Sequence, residues 1–188
     1  LLKYVGGFNN QELAHIFKSW NEGELHSYLI GITAGIFREA DDLGDGELID
    51  RIKDSAKQKG TGRWASIEAL KQGVDISMIT SACTARIMSN HLDEREKAWQ
   101  LIHSPAVGLS PDKESFAAMV REALYTGKII AYAQGFSLMQ DASRLYGWNL
   151  DLGKIASIFR AGCIIQAVFL NDITHAFEAE PKPENLIF

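Results

Sequence analysis

The sequence predicts an all-α, multi-helix domain built around a long central helix. Three observations carry this expectation: apolar residues recur at helical spacing along most of the chain, capping residues open several of those runs, and no segment alternates with period two. At 188 residues and 46% hydrophobic content, the chain can form one domain that buries roughly 70% of its unfolded surface.

The elements follow in order. Leu1-Leu2-Lys3-Tyr4 reads as the end of a helix whose beginning lies outside the chain. Asn9 or Asn10 caps a helix through Trp20, with Glu12 in capping-box position and Leu13, Ile16, Phe17 and Trp20 on one apolar face. Gly23 ends it, and a second helix is expected from Leu25 to Ala40, where Leu25, Leu29, Ile32 and Ile36 recur. The acidic, glycine-rich stretch from Asp41 to Gly46 is a turn. A short helix is expected over Glu47 to Ala56, then a basic segment Lys57-Gln58-Lys59-Gly60-Thr61-Gly62-Arg63-Trp64 leading into a helix through Lys71. Further helices are expected from Ile76 to Asn90 and from Asp93 to His103, with a loop from Ser104 to Pro111.

From Asp112 to Gly147 the sequence predicts the central helix, on which Ala123, Gly127, Ala131 and Gly135 form a stripe of small residues. A helix-interior glycine costs about 1 kcal/mol relative to alanine, so the stripe implies close approach of another helix. Asp151 caps a helix through Ala161, and Cys163 to Ala179 reads as a final apolar helix. Tyr132, Phe136, Met139 and Tyr146 read as packing residues rather than a cofactor box.

The net charge of -5 argues against a nucleic-acid partner, while leaving room for a local basic pocket that takes an anionic small molecule. No apolar run reaches membrane-spanning length and no cationic apolar leader is present, so the expected location is cytoplasmic, away from membranes. Cys83 and Cys163 lack metal-ligand spacing and read as reduced, buried thiols, and the five histidines are scattered over surface or helix-end positions. No metal is expected. Asp41 to Ile52 fails as a calcium loop, because Leu43 and Ile52 occupy ligand positions three and twelve.

Gly60-x-Gly62-x-x-Ala65 matches a dinucleotide fingerprint on paper, but Arg51 to Gln58 before it is polar and expected to be helical, where that chemistry needs an apolar strand. Lys57, Lys59 and Arg63 around the two glycines suit an anion site, and they suit a solvated basic turn as well. Arg86, among Ile79, Ala82, Cys83 and Ile87, either meets an anionic partner or lies at the surface. Arg160 and Cys163 stand at a helix junction, where the arginine can bond helix-end carbonyls and the thiol can fill core space.

Four segments together resemble the 6-phosphogluconate dehydrogenase family: Lys57 to Trp64, Tyr132-Ala133-Gln134-Gly135-Phe136, Gly147-Trp148-Asn149-Leu150, and Phe159-Arg160-Ala161-Gly162-Cys163-Ile164-Ile165. They stand in the family's order and the resemblance spans essentially the whole chain. It implies the all-helical C-terminal domain of an enzyme that uses NADP to convert 6-phosphogluconate to ribulose 5-phosphate, CO2 and NADPH in the pentose phosphate pathway. By motif position it implies that Lys59, Thr61 and Arg86 contact the substrate phosphate and that Lys59 also lies near the cofactor.

The same resemblance places the Rossmann domain, with most of the NADP contacts, and the catalytic lysine, glutamate and neighbouring tyrosine before Leu1. No catalytic residue is then expected within the chain, which alone would be inactive. It further implies a homodimer through the central helix, with an arginine and a histidine from the partner's tail completing each site. Arg63 stands where the family commonly has lysine, Lys57 where it has glycine and Gln166 where it often has arginine, and Gln166 receives no ligand role. Two rivals remain. One is a related 3-hydroxyacid dehydrogenase with another substrate, against which Lys59-Gly60-Thr61-Gly62 argues. The other is a non-catalytic helical dimerisation module.

Overall fold

The computed structural model describes residues 1–102 and 112–187, and places among them eight α-helices and no strand. The helices are α1 (Asn10–Trp20), α2 (Tyr28–Ile36), α3 (Thr61–Gln72), α4 (Ser77–Ser89), α5 (Leu92–Leu101), α6 (Lys113–Tyr146), α7 (Leu152–Ile158) and α8 (Leu170–Glu178). The expected loop from Ser104 to Pro111, together with His103, lies outside the described residues.

Helix α6 is the spine. Its 34 residues extend about 51 Å at 1.5 Å per residue, long enough to serve two separate cores. Toward its N-terminus Phe116, Val120 and Leu124 pack on a cluster of Leu2, Phe8, Leu13, Trp20, Leu25 and Ile30 contributed by the N-terminal turn, α1 and α2. Toward its C-terminus Phe136 joins Leu152, Ala156, Phe169, Leu170, Ile173 and Phe177 from α7, α8 and the segment before α8. Between the two, Lys128 donates to Ser27 Oγ at 3.1 Å and lies over the Phe169 ring, and its half-burial holds the ammonium pKa below the ordinary lysine value.

Gly127 and Gly135 of the small-residue stripe face α4: a Cβ added at Gly127 would meet Met78, and one at Gly135 would meet Ile79, each at 3.9 Å, an ordinary contact, so α4 is the helix neighbour but its approach leaves room for alanine at both positions. Gln134, buried at the centre of this contact, serves as a cap for α4. Ile76 at the N-cap offers no side-chain acceptor, and Gln134 Oε1 accepts instead from Met78 N–H at 3.0 Å while its Nε2 donates to Asp75 and Ser77.

Capping chemistry determines the helix starts. Asn9 and Glu12 form the reciprocal box on α1, Asp112 accepts from Ser115 N–H on α6, and Asp151 accepts from Lys154 N–H on α7. Residues 1–7 close as helix ends do, with Gly7 at φ 68 donating its N–H to the Lys3 carbonyl at 3.1 Å.

Four expected helices are shorter in the structure. The second begins at Tyr28, because the Ser27 side chain caps it by accepting from Ile30 N–H, and ends at Ile36; Leu25 is instead fully buried in the core before it. The expected Glu47 to Ala56 helix contracts to a single 3-10 turn, Leu48–Arg51, after a tight turn in which Asp41 N–H bonds the Gly46 carbonyl. Its Asp50 is held by Lys3 and Asn10, which hold its carboxyl below the usual carboxylate range. The expected Cys163 to Ala179 helix begins at Leu170. Residues 166–168 spend their backbone groups on α2's entry instead: Tyr28 N–H donates to Gln166 O at 3.2 Å, and Val168 N–H donates to His26 O at 3.0 Å. The Asp151 helix likewise stops at Ile158 rather than Ala161.

Candidate functional site

The basic segment sits where α3 begins against α4. Gly60 is the N-cap of α3 with φ 100, a left-handed conformation that a side chain would strain, and it supplies no side-chain cap. The first-turn N–H groups of α3 therefore point outward without intrahelical acceptors, at the positive end of the helix dipole. Lys59 immediately precedes this end and Thr61 is its first helical residue, and both are exposed.

A close contact seats α3 on α4. Gly62 lies so near Cys83 that an added Cβ would overlap Sγ, while Ser66 and Thr80 hydroxyls meet one turn later at 3.2 Å. At the other end of α3 Tyr146 donates to Glu68 at 2.6 Å, which lowers the Glu68 carboxyl pKa and raises that of the phenol.

Residues 53–59 reach this point as an irregular strap, not as the helix expected before the glycines. Arg86 on α4 is exposed, and its Nη2 donates to the Lys57 carbonyl at 2.6 Å. Gln58 Nε2 donates to the Cys83 carbonyl at 2.8 Å. The structure thus brings Lys59, Thr61 and Arg86 to one solvent-facing corner, with Arg86 fastened two residues along the strap from Lys59. Guanidinium, ammonium, hydroxyl and free helix-end N–H groups are the donors a phosphate monoester takes. With no strand leading into the glycines, the corner does not form a dinucleotide cradle.

Sequence reasoning missed the side chains that hold the strap. Ala56 N–H donates to Ser89 Oγ at 3.0 Å, Asn90 Nδ2 donates to the Ala56 carbonyl at 2.9 Å, and Ser55 Oγ donates to Asn90 Oδ1 at 2.8 Å. Arg95 bonds both the Asp54 carbonyl and its carboxylate, and this guanidinium holds the carboxyl below its ordinary range. A cap-forming Ser-Asn pair at the end of an apolar helix is the only sequence signal these contacts leave.

Other features weighed in the sequence take structural roles. Arg160 donates to the Ser157 carbonyl at 3.4 Å and to Asn171 Oδ1 at 3.1 Å, and the half-buried Cys163 lies near Tyr132. Cys83 is likewise free and half-buried. Among the described residues no three His, Cys, Asp or Glu side chains gather as metal ligands, and no helix is long and apolar enough to cross a membrane. A cavity of about 940 Å³ opens elsewhere between the N-terminal turn, α1, residues 49–54 and α6; Leu2, Phe17, Trp20, Phe37 and Leu124 make its walls mainly apolar, with Lys3, Asp50, Lys53 and Asp54 along one side.

The family model described as 6-phosphogluconate dehydrogenase, C-terminal domain, matches residues 1–188. The chain belongs to this family. Among curated 6-phosphogluconate dehydrogenases, that of Lactococcus lactis strain IL1403 is 48% identical over the whole of this chain and 40% of its own length. The mouse enzyme is 46% identical, over the whole of this chain and 39% of its own length. A solved Plasmodium falciparum 6-phosphogluconate dehydrogenase, studied as the apo form, with its cofactor NADP+ and with its substrate 6-phosphogluconate, superposes with a TM-score of 0.93 at 40% identity. That superposition covers 99% of this chain and 40% of the other. The chain therefore spans about 40% of the length of these 6-phosphogluconate dehydrogenases.

Proposed function

We propose that this chain is the helical part of an NADP-dependent oxidative decarboxylase that converts 6-phosphogluconate to ribulose 5-phosphate, CO2 and NADPH in the pentose phosphate pathway. The observation that carries the reading is the corner of Lys59, Thr61 and Arg86, three phosphate donors on adjoining elements in a chain of this family. The guanidinium and ammonium set the position of the phosphate end of the sugar acid, and the Thr61 hydroxyl and the amides opening α3 orient it. NADP would act as hydride acceptor for the C3 hydroxyl carbon. The donors present suit only the edge of that cofactor, through Lys59, so its main contacts and the acid–base groups belong to the rest of the full-length enzyme.

The same reading makes the protein a cytoplasmic homodimer with no nucleic-acid or membrane partner. Large apolar side chains stand exposed on this domain, among them Met119 and Leu145 on α6, Leu70 on α3 at 85% and Trp99 on α5 at 78%. Faces of that kind are characteristic of interaction surfaces. Sedimentation of the full-length protein is expected to give a dimer.

The test of the activity is NADPH formation from 6-phosphogluconate by the full-length protein and by its Lys59→Ala variant, with the fold verified by circular dichroism. Removing one charge-assisted contact, worth about 1.5–3 kcal/mol, raises KM roughly 10- to 100-fold with a smaller change in kcat. The domain alone is expected to be inactive. Absence of turnover by the full-length protein with either nicotinamide cofactor overturns the reading.

A further inference from the structure

We infer that Asn90 and Ser89, at the end of α4, are positioning residues that set the spacing of the phosphate donors by clamping the strap that carries Lys59. The inference rests on the phosphate role proposed for the Lys59, Thr61 and Arg86 corner, and it concerns residues that touch neither phosphate nor sugar.

The strap's backbone groups find their partners in side chains of neighbouring elements. Among the described residues, none of 53–59 makes a backbone–backbone hydrogen bond. A segment of that kind has no conformation of its own and takes the one its side-chain partners impose. Those partners come from α4 and the first turns after it. Ser89 Oγ receives the Ala56 N–H, and the same hydroxyl donates to the Arg86 carbonyl at 2.8 Å. Asn90 uses both ends of its amide: Nδ2 donates to the carbonyls of Ala56 at 2.9 Å and Arg86 at 2.8 Å, and Oδ1 receives the Ser55 hydroxyl at 2.8 Å.

Both side chains therefore bridge Ala56 to the backbone of Arg86. That link couples the two halves of the corner. Arg86 itself reaches the Lys57 carbonyl through a long side chain with several rotatable bonds, whereas Ser89 and Asn90 join backbone to backbone through short ones. The Ala56 position relative to α4 is consequently fixed three residues before Lys59, and the guanidinium is free to direct its remaining donors outward. Without the clamp, Gln58, Arg86 and Arg95 are what hold the strap among the described residues, and Lys59 samples a wider arc relative to Arg86. A multi-point site loses affinity when its donors are no longer held at the ligand's spacing. Nothing in this clamp acts on the carboxylate end of the substrate or on the chemistry, so the loss is confined to the phosphate.

The experiment compares full-length wild type, Asn90→Ala, Ser89→Ala and Lys59→Ala with 6-phosphogluconate and with gluconate, the same sugar acid lacking the phosphate. Wild type is expected to prefer 6-phosphogluconate strongly in kcat/KM. Asn90→Ala lowers that preference roughly tenfold, through KM, while kcat and the kcat/KM for gluconate stay at wild-type values. Ser89→Ala, which removes a single hydroxyl and so preserves folding where the larger truncation does not, shifts the preference the same way by a smaller factor. Lys59→Ala reports on the underlying phosphate reading independently, because it leaves the clamp in place.

If Lys59→Ala loses the preference and both clamp variants keep it, the inference fails and the phosphate reading stands. Equal losses on both substrates in Asn90→Ala and Ser89→Ala also overturn it, since a merely structural role acts on both alike. A wild type without preference for the phosphorylated acid removes the reading on which the inference rests.

Discussion

The contact between Gly62 and Cys83 allows a prediction whose sign depends on the background in which it is tested. Gly62 lies in the first turn of α3, and a methyl added there overlaps Cys83 Sγ but stands 3.9 Å from Cys83 Cβ, an ordinary van der Waals distance. In the wild-type background, overpacking of this kind costs about 1–3 kcal/mol and is offset by about 1 kcal/mol of improved helix propensity, leaving a net loss of about 0–2 kcal/mol. In a Cys83→Ala background the obstructing sulfur is gone and the propensity gain of about 1 kcal/mol remains, so the same substitution stabilises. The double-mutant cycle therefore carries a coupling of about 1–3 kcal/mol. Urea denaturation followed by helical circular dichroism on the four proteins measures it. If Gly62→Ala changes stability by the same amount with and without Cys83, the close seating of α3 on α4 is refuted. The substitution also displaces Thr61 from α4, so KM for 6-phosphogluconate is expected to rise in the single variant and recover in the double.

Three further outcomes follow from the packing and the titrations. Gly127→Ala and Gly135→Ala place their methyls 3.9 Å from Met78 and Ile79, so each is expected to stabilise by about 1 kcal/mol in urea denaturation; a loss would mean that α4 lies closer to α6 than described. Gln134→Leu leaves the Met78 N–H and the Asp75 carboxylate without their buried partner and is expected to cost about 1–3 kcal/mol, with faster amide exchange at the start of α4. Burial and the neighbouring Cys163 push the Tyr132 phenol from its ordinary 10.0 up to about 12. Its folded pKa is raised, so the stability it contributes is complete below pH 10 and is lost as pH climbs from 10 through 12. Above pH 10, Tyr132→Phe should flatten the fall of the urea midpoint with pH, and unchanged slopes would contradict the assignment.

Much of this architecture is legible in the residues because capping is local chemistry. Asn9 with Glu12, Asp112 and Asp151 each announce a helix start that the structure keeps. Gly127 and Gly135 announce a helix neighbour, which is α4, although it stands far enough away to admit an alanine methyl at either position, so the approach is looser than the small residues imply. The over-long helices fail for one shared reason: an apolar run does not reveal which backbone groups will be claimed by distant segments. Residues 166–168 look helical until His26 and Tyr28 take their hydrogen bonds, and Glu47 to Ala56 looks helical until Ser89 and Asn90 take those of Ala56. The candidate site follows the same division. Lys59 and Thr61 stand out as a basic glycine turn, but Arg86 joins them only through the family resemblance, because its link to the strap is a side chain meeting a carbonyl 29 residues away. The cap from Gln134 spans 56 residues and leaves no local pattern.

The central claim is that the corner at the start of α3 recognises a phosphate. Its most direct test is calorimetric titration of the full-length protein with 6-phosphogluconate and with gluconate, for wild type and for a Lys59→Ala, Thr61→Ala, Arg86→Ala triple variant. The account predicts that wild type binds the phosphorylated acid far more tightly and that the triple variant binds both with nearly the same weak affinity. A folded triple variant that retains the full difference between the two ligands would place the phosphate elsewhere and contradict the account.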